Sequence, residues 1–163
     1  MPTLEPLISI VIPVYNYATT LPRAIESVLG QLDGVTRAEL LVIDDGSSDS
    51  TPQVIAELMN AHPCRFRTLR KENGGLASVR NRGIRETRGS YLVFLDADDE
   101  MAPGALEALA RHIAQYPETR MVIGGHDAVS SDGKRRSYLP PALPESHLDR
   151  LRGYLVDKRV GLS

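Results

Sequence analysis

Three carboxylates, Asp96, Asp98 and Asp99, follow directly on the apolar run Tyr91-Leu92-Val93-Phe94-Leu95. The run reads as a buried strand, so the acids arrive where the chain must leave the sheet for solvent. Like charges this close repel and raise one another's pKa, and a bound divalent cation is the cheapest way to keep them ionised. Side chains of an extended segment alternate with period two, which puts Asp96 and Asp98 on one side, within reach of one hard cation. Oxygen ligands point to magnesium or manganese. An acidic turn in isolation is more often a solvated loop; the buried strand ahead of this one tips the balance toward metal.

A second acidic strand end lies upstream. Asp44 and Asp45 close the short apolar run Leu40 to Ile43, and Gly46-Ser47-Ser48 then permits a tight turn. Alone this is a solvated turn leading to a helix capped by Asp49 or Ser50. Two acidic ends in one sheet suit a divided task, with one carboxylate accepting the imino N–H of a pyrimidine base and the other cluster holding metal and diphosphate. Arg80, Asn81, Arg82, Arg85 and Arg88 lie along one predicted helix. A solvated basic face with pairs such as Glu86 accounts for most of them. Arg80 and Asn81 differ, since the helix leading into the acidic strand can turn a guanidinium or amide toward a phosphate or sugar.

The elements that must position these residues alternate along the chain. Leu7 to Pro13 is a β-branched run ended by proline, the pattern of a central strand buried on both faces. Leu21, Ala24, Ile25, Val28 and Leu29 recur at helical spacing, which predicts a helix from about Thr20 to Gln31 with Pro22 in its first turn. The strand Leu40–Ile43 leads to a capping-box start at Ser50-Thr51-Pro52-Gln53 and a helix reaching about Asn60. A third strand is expected at Arg65 to Leu69. Gly74 and Gly75 then open a helix over Leu76 to Thr87, and Gly89 leads into the strand Tyr91–Leu95. Pro103 starts a helix that ends before Pro117, and Met121–Gly125 reads as a further strand. Ser131-Asp132-Gly133-Lys134 reads as a hairpin turn; Pro140, Pro141 and Pro144 mark a loop; Leu148, Leu151, Leu155 and Val156 suggest a late amphipathic helix.

This alternation predicts an α/β fold, a three-layer α/β/α sandwich around a mostly parallel sheet. Ligands of such sheets bind beyond the carboxyl ends of the strands, where Pro13 to Asn16, Asp44 to Ser48 and Asp96 to Asp99 all fall.

Composition narrows the chemistry. The 163 residues suit one domain, and the formal charge of −2 leaves no broad basic footprint, so nucleic acid is not expected as a partner. The single cysteine, Cys64, excludes an internal disulfide and a cysteine-rich zinc site and makes the cytoplasm the expected compartment. No G-x-G-x-x-G, P-loop or G-x-S-x-G motif occurs, so phosphates are not expected in a backbone cradle nor a hydrolase elbow in the chain. Of the scattered histidines only His126, just past a predicted strand, draws interest, and a surface histidine is the more ordinary reading.

Five segments in order carry a resemblance: Ser9-Ile10-Val11-Ile12-Pro13-Val14-Tyr15-Asn16, Leu41 to Thr51, Asn73-Gly74-Gly75, Arg80-Asn81-Arg82-Gly83, and Gly89 to Asp99. Over about residues 7 to 125 the sequence resembles the family 2 glycosyltransferases of the GT-A nucleotide-diphospho-sugar fold. The resemblance implies metal-dependent transfer of a sugar from a nucleotide sugar, most often a UDP-sugar, to an acceptor hydroxyl, with inversion. It places Pro13, Tyr15 and Asn16 by the nucleotide, Asp45 on the base, Arg80 among the nucleotide contacts, Asp96 near ribose and metal, Asp98 on the metal, and Asp99 and Asp44 behind them. Mn2+ or Mg2+ is the implied cofactor, and a sugar or lipid-linked molecule the implied acceptor, which would bring the protein to the inner face of the membrane. In that family the catalytic base follows the metal motif well downstream. Glu145 and Asp149 are the acids available here, neither convincing, so a single GT-A domain over 1–163 is expected to be the donor half of a longer enzyme, residues 1–125 holding the nucleotide sugar and 126–163 beginning the acceptor side. Two other readings stand beside it: a nucleotide- and metal-binding module without turnover, and a nucleotidyltransferase, whose usual glycine-rich loop is missing.

Overall fold

A computed structural model of the chain describes residues 7–33, 37–130 and 132–139. The chain divides into two compact units, Met1–Pro117 and Glu118–Ser163.

The first unit is built on β1 (Ile8–Val14), every residue of which is buried. Around it lie β2 (Ala38–Asp44), β3 (Arg67–Arg70) and β4 (Tyr91–Phe94), in the order β3-β2-β1-β4 with every pairing parallel. Period-two alternation sorts the side chains onto two faces. Ile8, Ile10, Ile12, Leu40 and Val42 pack with Leu21, Ile25 and Val28 of α1 (Leu21–Leu32), Ile55 of α2 (Thr51–Ala61) and Leu106 and Ile113 of α4 (Ala105–Gln115). On the opposite face Val11, Leu41 and Ile43 meet Val79 of α3 (Gly75–Glu86). These are the three expected layers. Contact on the α3 side is close: a Cβ on Gly83 would lie 3.0 Å from Val11 Cγ1.

Pro13 does not end β1, which continues to Val14. It ends the pairing with β4 instead. Leu95 N–H donates to the Val11 carbonyl at 3.0 Å, so the next rung would run from residue 13 N–H to the Leu95 carbonyl, and proline has no N–H to give. The paired segment stops at Val11↔Phe94 and the chain is released into the acidic turn. The strand ahead of those acids is also less buried than expected. It pairs only with β1 among the described residues, and its four residues are half-buried.

Other boundaries move by one or two residues. β3 begins at Arg67 rather than Arg65, and α4 at Ala105, with Pro103 in the preceding turn and Gly104 at φ 76° as its cap. Ser50 makes no side-chain cap; Asp49 does it, its Oδ1 accepting from Thr51 N–H at 2.9 Å. In the second unit residues 121–125 are irregular and, Val122 apart, exposed, not a strand, as a glycine pair without side chains to pack makes reasonable. The strand starts at His126: β5 (His126–Val129) pairs antiparallel with β6 (Arg135–Tyr138) through the expected hairpin, Gly133 taking φ 80°. His126 stacks on Tyr138 with ring centroids 4.9 Å apart, both residues being exposed. The expected proline loop, the late helix, Glu145 and Asp149 lie outside the described residues. No helix among those described is long and apolar enough to cross a membrane.

Candidate functional site

The carboxyl ends of β1, β2 and β4 adjoin, and the loops that leave them are tied together by side chains. Asn16, after β1, adopts φ 61°, a left-handed conformation that asparagine tolerates better than most residues. Its Oδ1 accepts from Ser48 N–H at 2.8 Å and Asp49 N–H at 3.3 Å, while its own N–H donates to Ser47 Oγ at 2.9 Å. Tyr17 N–H donates to Thr51 Oγ1 at 3.1 Å. The β1 and β2 loops therefore form one surface, from which the Tyr15 and Tyr17 rings stand half-exposed. Asp49 accepts from Ala18 N–H as well as from Thr51, and the Thr51 hydroxyl above all holds its carboxyl below the usual carboxylate range.

Asp44 and Asp45 are both buried, each 2% exposed, and they face different partners. Asp44 folds back on its own turn, Oδ1 accepting from Ser47 N–H at 2.9 Å, with the Arg70 guanidinium 3.4 Å from Oδ2. Asp45 reaches across to the loop before α3. It accepts from Gly75 N–H at 2.7 Å, from Gly74 N–H at 3.1 and 3.3 Å on its two oxygens, and from Lys71 Nζ. Gly74 and Gly75 are the cap and first residue of α3, so Asp45 satisfies the unpaired donors of a helix N-terminus from a different strand. A carboxylate has about four acceptor sites, and three donors make four contacts with them here, two on each oxygen, the Gly74 N–H being shared between the two.

The acidic segment after β4 is not extended. Asp99 N–H donates to the Asp96 carbonyl at 3.0 Å, closing a turn in which Ala97 is buried and Asp96, Asp98 and Asp99 are exposed. The turn is held from α1: Met101 N–H donates to Ser27 Oγ at 2.9 Å, and Gln31 bridges the Met101 carbonyl and Leu106 N–H. Arg80 Nη2 lies 3.4 Å from Asp96 Oδ1, and its guanidinium carbon sits 5.6 Å from the Phe94 ring centroid. No group of three or more Asp, Glu, His or Cys able to hold a metal occurs among the described residues.

The structure thus places Pro13, Tyr15, Asn16, Asp44 and Asp45 at the ends of β1 and β2, and Asp96, Asp98 and Asp99 at the end of β4, with α3 touching both groups, the second through Arg80. Sequence reasoning missed Lys71. Its signal was a cation just ahead of the Gly74-Gly75 pair, which becomes legible only when β3 is known to lie beside β2.

Comparison with known proteins follows the same outline. Residues 9–160 match the model of the family described as "Glycosyl transferase family 2". The "Uncharacterized glycosyltransferase EpsJ" of Bacillus subtilis is 36% identical over 138 residues, covering 85% of this chain and 38% of that protein. The chain therefore spans less than two fifths of that relative's length. S. aureus TarS 1-349, solved in complex with UDP-GlcNAc, superposes with a TM-score of 0.60 at 27% identity, over 68% of this chain and 32% of that one. The mannosyltransferase PcManGT from Pyrobaculum calidifontis, solved with GDP-Man and Mn2+, gives a TM-score of 0.60 at 25% identity, over 76% and 35%.

Proposed function

The chain belongs to glycosyl transferase family 2, and from that premise we propose that its strand-end site binds a nucleotide-diphospho-sugar, preferentially a UDP-sugar, for transfer of the sugar to a hydroxyl of a sugar or lipid-linked acceptor with inversion. The observation that carries the proposal is the arrangement about α3. The first residue of this helix meets the buried Asp45, and Arg80, five residues on, meets Asp96. At a rise of 1.5 Å per residue the two backbone positions are about 7.5 Å apart along the helix axis, so one helix spans both acidic strand ends.

Each end suits a different part of the donor. Gly74 N–H is shared between the two Asp45 oxygens, and the longer of its contacts, 3.3 Å to Oδ2, is the one that the single imino N–H of uracil would replace. Tyr15 offers a half-exposed ring and Pro13 a rigid strand end beside it, while Asn16 fixes the loop that carries them. At the other end Asp96 and Asp98 are exposed oxygen donors on a turn anchored from α1. Two carboxylates fit a magnesium or manganese ion that keeps waters and takes its remaining ligands from substrate phosphates. Such an ion, when bound, neutralises charge developing on the departing diphosphate. Arg80, already beside Asp96, supplies a second positive charge there, and Asp99 closes the turn that carries the ligating residues, whereas Asp44, expected behind them, is turned onto its own loop and Arg70 at the end of β2. The proposal locates the reaction in the cytoplasm, at the inner membrane face where the acceptor is lipid-linked.

Support also comes from the neighbours, one solved with UDP-GlcNAc and one with GDP-Man and Mn2+. The test is calorimetry of UDP, GDP and dTDP with and without manganese. UDP is expected to bind best, with manganese strengthening it. Absence of binding by every nucleotide in the presence of manganese would overturn the donor site, and binding by UDP with no hydrolysis or transfer of a radiolabelled donor would assign a module without turnover.

A further inference from the structure

We propose that Lys71 is a positioning residue which sets the base selectivity of this site by fixing the carboxylate of Asp45; the proposal rests on the reading of Asp45 as the base-binding group. The Lys71 backbone is itself anchored, its N–H donating to the Asp44 carbonyl at 2.9 Å just beyond the last β2–β3 pair. From that fixed point the side chain returns to β2, where Nζ donates to Asp45 Oδ1 and to the Glu72 carbonyl. The lysine side chain is only 23% exposed and that of Asp45 only 3%. Solvent therefore has little part in deciding which way the carboxylate faces; its protein donors decide it.

Those donors are unequal. The Gly74 and Gly75 amides belong to the backbone and hold the oxygens from the helix side. Lys71 is the side-chain donor and the cation, so its bond is charge-assisted and its removal frees the carboxylate to turn. The orientation matters because the one acceptor site open to a base is the one that Gly74 N–H, shared between the two oxygens, holds only weakly. Aimed correctly, it accepts the N3–H of uracil and rejects cytosine, whose N3 carries no proton and would meet the carboxylate as acceptor against acceptor. Rotated, the same oxygen can take the exocyclic amine of cytosine, and the discrimination is lost. A buried polar group that pairs with one base and is left unpaired by another is a strong source of selectivity.

The experiment measures UDP and CDP dissociation constants by calorimetry, with manganese, for the wild-type chain and for Lys71→Met, Lys71→Arg and Asp45→Asn. Circular dichroism at the assay temperature confirms folding, and Lys71→Gln carries the same test if Lys71→Met does not fold. The wild type is expected to favour UDP. In Lys71→Met, UDP binding should weaken at least tenfold and the two constants should come within threefold of each other, with the manganese dependence of the residual binding retained. Lys71→Arg should restore the preference. Selectivity unchanged in a folded Lys71→Met, or tighter UDP binding by it, overturns the proposal. Asp45→Asn tells the two readings apart: if it keeps UDP affinity and preference, the base-binding role of Asp45 fails with the Lys71 proposal, whereas loss in Asp45→Asn beside a selective Lys71→Met removes the Lys71 role alone.

Discussion

Asp45→Asn separates the two functions that the structure gives this residue. The amide keeps the shape of the carboxylate but replaces one acceptor oxygen with a donor that must face backbone N–H groups or an ammonium. At 2% exposure the misfit cannot be relieved by water. Two kinds of charge-assisted bond are lost, one to the first amides of α3 and one to Lys71. A hydrogen bond to a charged group contributes about 1.5–3 kcal/mol, and the oxygen that remains recovers part of that, so a net loss of about 2–4 kcal/mol is expected. For a chain of this size each kcal/mol moves Tm by about 2–4 °C, giving a fall of roughly 4–16 °C. Asp98→Asn, at an exposed position, should stay within about 0.5 kcal/mol of the wild type. Thermal unfolding followed by circular dichroism measures both. A Tm for Asp45→Asn within a degree of the wild type would refute the claim that this carboxylate caps α3.

Three further outcomes follow from particular contacts. Asp98→Asn should abolish the manganese dependence of UDP binding in calorimetry while the unfolding transition is unchanged; undiminished dependence would remove Asp98 from the metal site. Gly89→Ala should destabilise by about 3 kcal/mol or more in denaturant titration, because its Cβ would meet Ser9 N at 2.7 Å and Ile8 C at 2.9 Å, backbone atoms that cannot give way. Asp49 has a folded pKa depressed by Thr51 and by two backbone amides, so its contribution to stability is complete above the unfolded value of about 3.9 and is lost as pH falls through the folded value. Wild-type stability should therefore decline more steeply below about pH 4 than that of Asp49→Asn, and equal slopes would contradict the assignment.

Much of the fold was legible because its signals are local. The β-branched run at Ile8–Val14 and the helical period of Leu21, Ala24, Ile25 and Val28 need no partner to be read, and both lie where expected. The hairpin about Gly133 was announced by its turn residues. Expectation failed where a neighbouring element decides. Met121–Gly125 has apolar residues but enters no strand pairing among the described residues, and remains irregular. Of the two caps the sequence offered, Asp49 and Ser50, the structure takes Asp49, whose carboxylate also reaches Ala18 from the β1 loop, and the capping box at Ser50 is not formed. Pro13 looked like a strand terminator and terminates only a pairing, a distinction that depends on which side of β1 carries β4.

The candidate site divides in the same way. The sequence by itself determined which groups are present: two acidic strand ends, a glycine pair, an arginine helix, and their order, since strand and helix periods are set by covalent geometry and nearby sterics. Only the tertiary structure decided that Asp45 faces inward to Lys71 and the α3 amides while Asp96 and Asp98 face solvent. That choice depends on parallel pairing between segments tens of residues apart, on β3 lying beside β2, and on the desolvation that makes a buried carboxylate collect every donor within reach.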